Sequence, residues 1–286
     1  QFQYGVASGD PLSDSIVLWT RVTPTLGSDE LESDSCDENS PSFEIRYFVS
    51  KDGGEEVTSG THTALCENDW TVKIDVVGLD SGVKYTYGFE SSSHISPQGR
   101  FRLPTEDMES LAFAVFSCAN LGYGFFNAYG HAASLDLDFS LFLGDYIYEY
   151  DPSGSYIVRQ SEDLLSYGTR IDTIHDYRKR YRSYHKDPDL RALRAAAPLI
   201  AAWDDHEFAN DAFQFGAGNH DDTRDGPWNP RKEAAARAFE EWMPIRTTRT
   251  TRRRLDQAQD DIVYAINRTF DFGTLARLIM VVSRVT

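Results

Sequence analysis

The stretch LDFSLFLGDYIYEY, residues 137–150, decides the predicted fold. Within it, Phe139–Leu143 is a short apolar run, typical of a strand buried on both faces and too short for a helix. The run stops at Gly144, where the backbone can turn sharply, and Asp145 follows at the carboxyl end of the strand. Open α/β sheets bind ligands at that end. Asp145 is therefore a candidate metal ligand, although a turn aspartate that binds nothing fits the same pattern.

Two further buried runs, 111–116 and 199–203, end in the same way, in SCAN (117–120) and DDHE (204–207). Together the three strand ends carry thiol, carboxylate, phenol and imidazole groups: Cys118, Asp145, Tyr148, Asp205 and His206. These donors suit a hard or borderline transition metal such as iron, with carboxylate left over for a second divalent ion. Each signal alone also fits an ordinary buried thiol or hydrogen bond. Their coincidence predicts a metal site.

The motifs SCAN, GDYIYEY (144–150) and WDDHEFAND (203–211), in this order, resemble those of the alkaline phosphatase D (PhoD-like) family of metallophosphoesterases. The opening YGVASGDPLSDSIVLWTRVTP (4–24) resembles the N-terminal domain of that family, and the resemblance runs from Phe2 to the last residue. It implies a secreted phosphomonoesterase or phosphodiesterase that holds iron and one or more calcium ions. The substrate would be a small phosphate ester or a phospholipid.

The resemblance also implies roles for the site residues. Asp145 would bridge the metals, Cys118 and Tyr148 would bind Fe(III), and Ca²⁺ would take Asp205 and Asn210. A metal-bound hydroxide would attack the phosphorus, with Asp205 and His206 as the catalytic residues and His206 protonating the leaving alkoxide.

Full-length relatives continue beyond this point and supply further ligands, so the resemblance implies that the chain is incomplete at its C-terminus and carries part of a metal site. The alternative is a degenerate or non-catalytic secreted binding or scaffolding protein on the same fold.

Composition and length set broader limits. A net charge of −17 over 286 residues argues against sequence-specific nucleic-acid binding through a general basic face. No apolar run approaches the length that crosses a bilayer, so we expect no transmembrane segment. The length favours two domains, for which we predict bounds of 1–104 and 105–286.

The three cysteines of the sequence predict the cellular compartment of the protein. Cys36 and Cys66 lie in polar, turn-rich stretches of the first domain, which predicts a disulfide and an oxidising compartment. Cys118 is then the odd cysteine, which agrees with its role as a metal thiolate. We therefore expect a secreted protein, extracellular or periplasmic.

The first domain reads as all-β. Its predicted strands alternate or cluster β-branched and aromatic residues: Ser15–Val22, Ser42–Ser50, Trp70–Val77 and Val83–Ser91. Their spacing predicts a sandwich of the immunoglobulin or fibronectin III class, and residues 78–85 resemble the loop before a tyrosine corner.

From residue 111 strands alternate with helices, which predicts an α/β domain, four-layered by the resemblance. The predicted helices are Gly122–Ser134, with Phe125, Phe126 and Tyr129 inward, Thr169–His185, Asp189–Ala196 and Pro230–Met243. Loops 151–167 and 214–228 are predicted to form the rim of the site. The basic residues in and after the second helix are Arg170, Arg178, Lys179, Arg180, Arg182 and Lys186. They fit either a phosphate-attracting surface or, as we favour, a solvated helix face. The same two interpretations apply to residues 252–254.

Overall fold

The computed structural model describes residues 2–26, 29–30, 36–37, 39–92, 94–150, 157–159, 171–246, 248–253, 260–282 and 284–285. The strands are β1 (Val6–Gly9), β2 (Ser15–Arg21), β3 (Thr25–Leu26), β4 (Asp29–Glu30), β5 (Phe43–Lys51), β6 (Glu56–Ala64), β7 (Thr71–Val77), β8 (Lys84–Ser91), β9 (His94–Ile95), β10 (Gly99–Arg102), β11 (Phe113–Phe116), β12 (Phe139–Phe142), β13 (Leu199–Ala201), β14 (Thr248–Arg253), β15 (Asp260–Ala265), β16 (Arg268–Phe272) and β17 (Ala276–Met280). The helices are α1 (Asn127–Ala133), α2 (Ile174–His185), α3 (Pro188–Ala196), α4 (Asp222–Asp225) and α5 (Trp228–Trp242).

A six-stranded mixed sheet carries the predicted site. Its order is β11-β12-β13-β1-β2-β7. The strands β11, β12, β13 and β1 are parallel, whereas β2 and β7 run antiparallel to their neighbours. The pairing of Gly9 with Leu199 joins β1 to β13, so strands from the first hundred residues extend the sheet of the α/β part.

A second sheet has the order β10-β8-β5-β6, with β9 paired to β8. Residues from this sheet and from β1, β2 and β7 share one hydrophobic cluster, which includes Ile16, Leu18, Ile45 and Phe89. The four strands predicted for the first domain are confirmed to within a residue at each end. The prediction missed β6, because the sequence EVTSGTHTA is largely exposed and lacks apolar alternation.

Two local features of this part agree with the sequence. The Tyr85 hydroxyl accepts from the Asp80 amide at 2.9 Å and donates to the Asp80 carbonyl at 3.2 Å, as in a tyrosine corner. Cys36 and Cys66 form the predicted disulfide, and Cys118 is free.

The helices pack on the mixed sheet around a second cluster rich in aromatic residues, among them Trp19, Tyr146 and Trp242. All four predicted helices exist. Two begin later than predicted: α2 at the capping box of Thr173, and α1 after a separate 3₁₀ turn at Leu121–Tyr123. The inward prediction for Phe125 is wrong, since the ring is 61% exposed, because it precedes α1 rather than lying on its inner face.

The interpretation of α2 as a solvated basic face is also wrong. Arg178, Arg180 and Arg182 are all buried. Arg178 pairs with Glu241 at 2.6 Å, and Arg182 pairs with the buried Asp69. Their acceptors lie far away in the sequence, so helical periodicity could not reveal them.

Other predictions fall on residues outside those described: Arg170, Arg254, the side chains of residues 252 and 253, and loop 151–167 apart from residues 157–159. Loop 214–228 contains the short helix α4. Within the described ranges, no helix combines the length and the apolar character that a bilayer crossing requires.

Candidate metal centre

Gly144 makes the sharp exit from β12. Its φ is +113°, and a Cβ at this position would lie 2.6 Å from the backbone nitrogen and the Cβ of Asp204. Asp145 follows with φ 55°, and Cys118, at the end of β11, has φ 57°. Left-handed backbone at non-glycine residues is strained and is often found at functional sites.

Backbone hydrogen bonds hold these two strand ends side by side. The Cys118 amide donates to the Gly144 carbonyl at 3.2 Å, and the Ala119 amide donates to the Asp145 carbonyl at 2.9 Å. Because β11, β12 and β13 are parallel neighbours, their carboxyl ends meet at one edge of the sheet.

Three of the predicted residues converge at that edge. Asp145, Asp205 and His206 are buried, and each offers one ligand atom within 4.8 Å of the other two. The His206 amide donates to Asp145 Oδ1 at 3.4 Å. Two carboxylates and an imidazole at this spacing fit a divalent or trivalent cation.

Tyr148 and Cys118 lie beside this group. The Tyr148 hydroxyl donates to Asp145 Oδ2 at 3.2 Å and is also hydrogen-bonded to the Cys118 side chain. The phenol of Tyr148 thus contacts the carboxylate of Asp145, whereas Cys118, an exposed residue, is not among the three residues whose ligand atoms converge. Asn210 is placed differently, because its side-chain amide donates to Asp211 at 2.8 Å and its backbone amide donates to Glu149 at 2.6 Å.

The His206 ring is held on several sides. Its Nδ1 donates to Glu149 at 2.8 Å, which leaves Nε2 free for a proton or a ligand. The ring stacks on Tyr148 at 4.2 Å between centroids and meets Tyr150 edge-on at 5.3 Å. Glu149 is fixed in turn by the side chain of Asn219 at 2.6 Å.

The electrostatics of the cluster follow from burial and mutual charge. Burial raises the pKa of Asp145, and the nearby charge of Asp205 adds to that effect. Burial alone would lower the pKa of His206, but the hydrogen bond and charge of Glu149 outweigh it, so that pKa is raised. Burial alone would raise the pKa of Glu149, but His206 and two amide donors hold it below its usual value. Burial and the charge of Asp145 together raise the pKa of Tyr148.

Sequence reasoning missed the carboxylates that organise the site. Glu149 and Glu207 stand inside the quoted motifs, yet no role was assigned to them. Both are buried; burial raises the pKa of Glu207, and the three backbone amides that donate to it oppose that shift by stabilising its carboxylate. The contact of Arg180 with the site was also missed: its guanidinium donates to the backbone carbonyls of Tyr148 and Tyr150. The only available signal was an acidic residue placed inside an otherwise apolar or aromatic motif.

An aromatic cleft of about 710 Å³ opens beside Cys118. Its walls include Tyr123, Phe125, Tyr148 and Tyr150. Aromatic walls next to metal-ligating groups could receive an apolar part of a ligand while its charged part meets the cluster.

Comparison with known proteins gives consistent matches over nearly the whole chain. The family model of the PhoD-like phosphatase matches residues 113–286, and that of the PhoD-like phosphatase, N-terminal domain, matches residues 1–105. Alkaline phosphatase D of Bacillus subtilis (strain 168) is 34% identical over 284 residues, covering 96% of this chain and 45% of the relative. The solved structure of PhoD matches with a TM-score of 0.82 at 31% identity, covering 99% of this chain and 52% of that one. The chain therefore spans about half the length of these relatives.

Proposed function

Because the chain belongs to the PhoD-like phosphatase family, we propose that it is a metal-dependent phosphoric ester hydrolase. The observation that carries the proposal is the convergence of Asp145, Asp205 and His206, from two different strand ends, within 4.8 Å. The buried donors are of the kinds that bind cations, and they share the sheet edge where α/β folds bind ligands.

The donor set fits two different ions. The phenol of Tyr148, which donates to Asp145, and the thiol of Cys118 are groups that suit Fe(III). The carboxylate of Asp205, within 4.8 Å of that of Asp145, suits Ca²⁺, and Asn210 would be a further oxygen donor. Asp145 would help to hold both ions. When bound, the metals supply positive charge to the phosphoryl oxygens and an activated water as the nucleophile.

The residues of this chain would position the substrate and move a proton. Glu149 holds Nδ1 of His206, which leaves Nε2 to face the leaving-group oxygen. The hydrogen bond and charge of Glu149 raise the pKa of His206, which favours the protonated form that a general acid requires. Tyr148 stacks on that ring and restricts its rotation.

The organic part of the ester would lie in the cleft lined by Tyr123, Phe125 and Tyr150. This arrangement accepts a phosphomonoester or diester whose alcohol has an apolar portion, including a phospholipid. We also propose that the protein is secreted, since the disulfide between Cys36 and Cys66 requires an oxidising compartment.

The test is hydrolysis of 4-nitrophenyl phosphate and bis(4-nitrophenyl) phosphate, with metal analysis of the same samples. It is done on the 286-residue chain and on the protein isolated from its natural source. Asp145→Asn and His206→Asn should each lower kcat by about 100-fold or more, whereas His62→Asn, on the exposed strand β6, should not. Metal binding without turnover in the isolated protein would favour the non-catalytic alternative. Full turnover in Asp145→Asn would refute the proposed site.

A further inference from the structure

Glu207 is a completely buried residue next to the candidate metal cluster. Its Oε2 accepts from the Asp204 amide at 2.8 Å and from the Asp145 amide at 3.1 Å. Its Oε1 accepts from the Tyr146 amide at 2.5 Å. Both oxygens are thus occupied by backbone donors, and Glu207 is not among the residues whose ligand atoms converge.

The three donors belong to two different loops. Asp145 and Tyr146 follow β12, whereas Asp204 follows β13 and directly precedes the ligand candidate Asp205. Backbone amides that leave a sheet need new acceptors when they are buried, and here a single carboxylate serves three of them. Gly144 brings the two loops into close contact, and Glu207 joins them at that point.

We propose that Glu207 is a positioning residue, whose carboxylate sets the separation of the two loops and thereby holds the proposed metal ligands Asp145 and Asp205 and the proposed acid His206 close together. The positioning rests on the hydrogen bonds alone, and its consequence for metal binding rests on the proposed function. An apolar side chain of the same size would leave two buried amides and one partly buried amide without their acceptor.

The variant Glu207→Gln keeps the size of the side chain but replaces one acceptor oxygen by an NH₂ group, which must then face a backbone N–H donor. The matched control is Glu241→Gln. Glu241 is also buried, but its partners are Arg178 and Arg237 rather than the amides of the site. Both variants remove one buried carboxylate, so a general loss of stability affects both.

Two measurements are made on each protein. Amide hydrogen exchange by NMR should be at least about 10-fold faster at Asp145, Tyr146 and Asp204 in Glu207→Gln and unchanged there in Glu241→Gln. The affinity for Mn²⁺, measured by electron paramagnetic resonance, should fall about 10- to 100-fold in Glu207→Gln only.

A folded Glu207→Gln with wild-type exchange at the three amides, or with wild-type Mn²⁺ affinity, would overturn the proposal. If Glu207→Gln does not fold, Glu207→Asp takes its place, because it keeps both oxygens but withdraws them by one methylene. It should accelerate exchange at the same amides, and wild-type exchange there would again overturn the proposal. If the wild-type protein binds no Mn²⁺, the proposed metal-dependent function fails, while the exchange measurement still decides the positioning role.

Discussion

Replacing Gly144 by alanine should strongly destabilise the protein, because two independent costs coincide at this residue. Its φ of +113° is outside the regions that L-residues adopt, a strain of about 1–3 kcal/mol. The new Cβ would also lie 2.6 Å from the Asp204 nitrogen and 3.0 Å from the Trp203 carbonyl carbon, and backbone atoms cannot rotate away. Forcing a methyl group into such a packed site costs about 1–3 kcal/mol more.

The total is about 2–6 kcal/mol, which corresponds to a fall in Tm of roughly 3–10 °C for a chain of this size. Gly78→Ala is the matched control, since its φ is +78° but no atom lies within 4 Å of the added Cβ. It should cost only about 1–2 kcal/mol. Urea denaturation of both variants measures the difference directly. If Gly144→Ala were no less stable than Gly78→Ala, the close contact of the two loops would be wrong.

Three further predictions concern charge and thiol chemistry. Asp69→Asn should lower the free energy of unfolding by about 3–5 kcal/mol at pH 7, because the charge that binds Arg182 is lost. Since the pKa of Asp69 is lowered in the folded protein, this difference should be constant above about pH 4 and disappear in more acidic solution. Burial raises the pKa of Asp10 from 3.8 to about 6. The free energy of unfolding of the wild type relative to Asp10→Asn should therefore fall by about 3 kcal/mol between about pH 4 and pH 6. Urea titrations in which this difference does not change with pH would contradict the prediction. Thiol labelling of the denatured, unreduced protein should modify Cys118 alone, and mass spectrometry that finds label on Cys36 would exclude the disulfide.

The placement of the site could be predicted from local signals. Each of three short apolar runs ends in residues able to bind a metal, and a strand of that length needs no distant information to be recognised. The rule that ligands gather at the carboxyl ends of parallel strands predicts that groups from the three strand ends meet, and the structure brings Asp145 together with Asp205 and His206 but leaves Cys118 outside that group. The role of Asn210 stays a prediction: its side-chain NH₂ group donates to Asp211 at 2.8 Å.

The neighbours of each strand were harder to predict than the strands themselves. The pattern of β1 and β2 indicates extended structure but carries no information on which strand lies beside them. Their pairing with the sheet of the α/β part depends on the contact of Gly9 with Leu199, which are 190 residues apart. Such long-range pairings are decided by the packing of the whole chain rather than by local propensity.

The amino-acid sequence alone indicated the family, the strand ends and the candidate metal ligands, because apolar run length, glycine and ligand chemistry are properties of short segments. Only the tertiary structure decided that Arg178 and Arg182 are buried and that Glu149 and Glu207 hold the site together. A charged side chain is stable in the interior only when its partners surround it. Glu149 meets His206 across 57 positions of the chain, and Arg182 meets Asp69 across 113, so folding has to bring these partners together before burial is favourable.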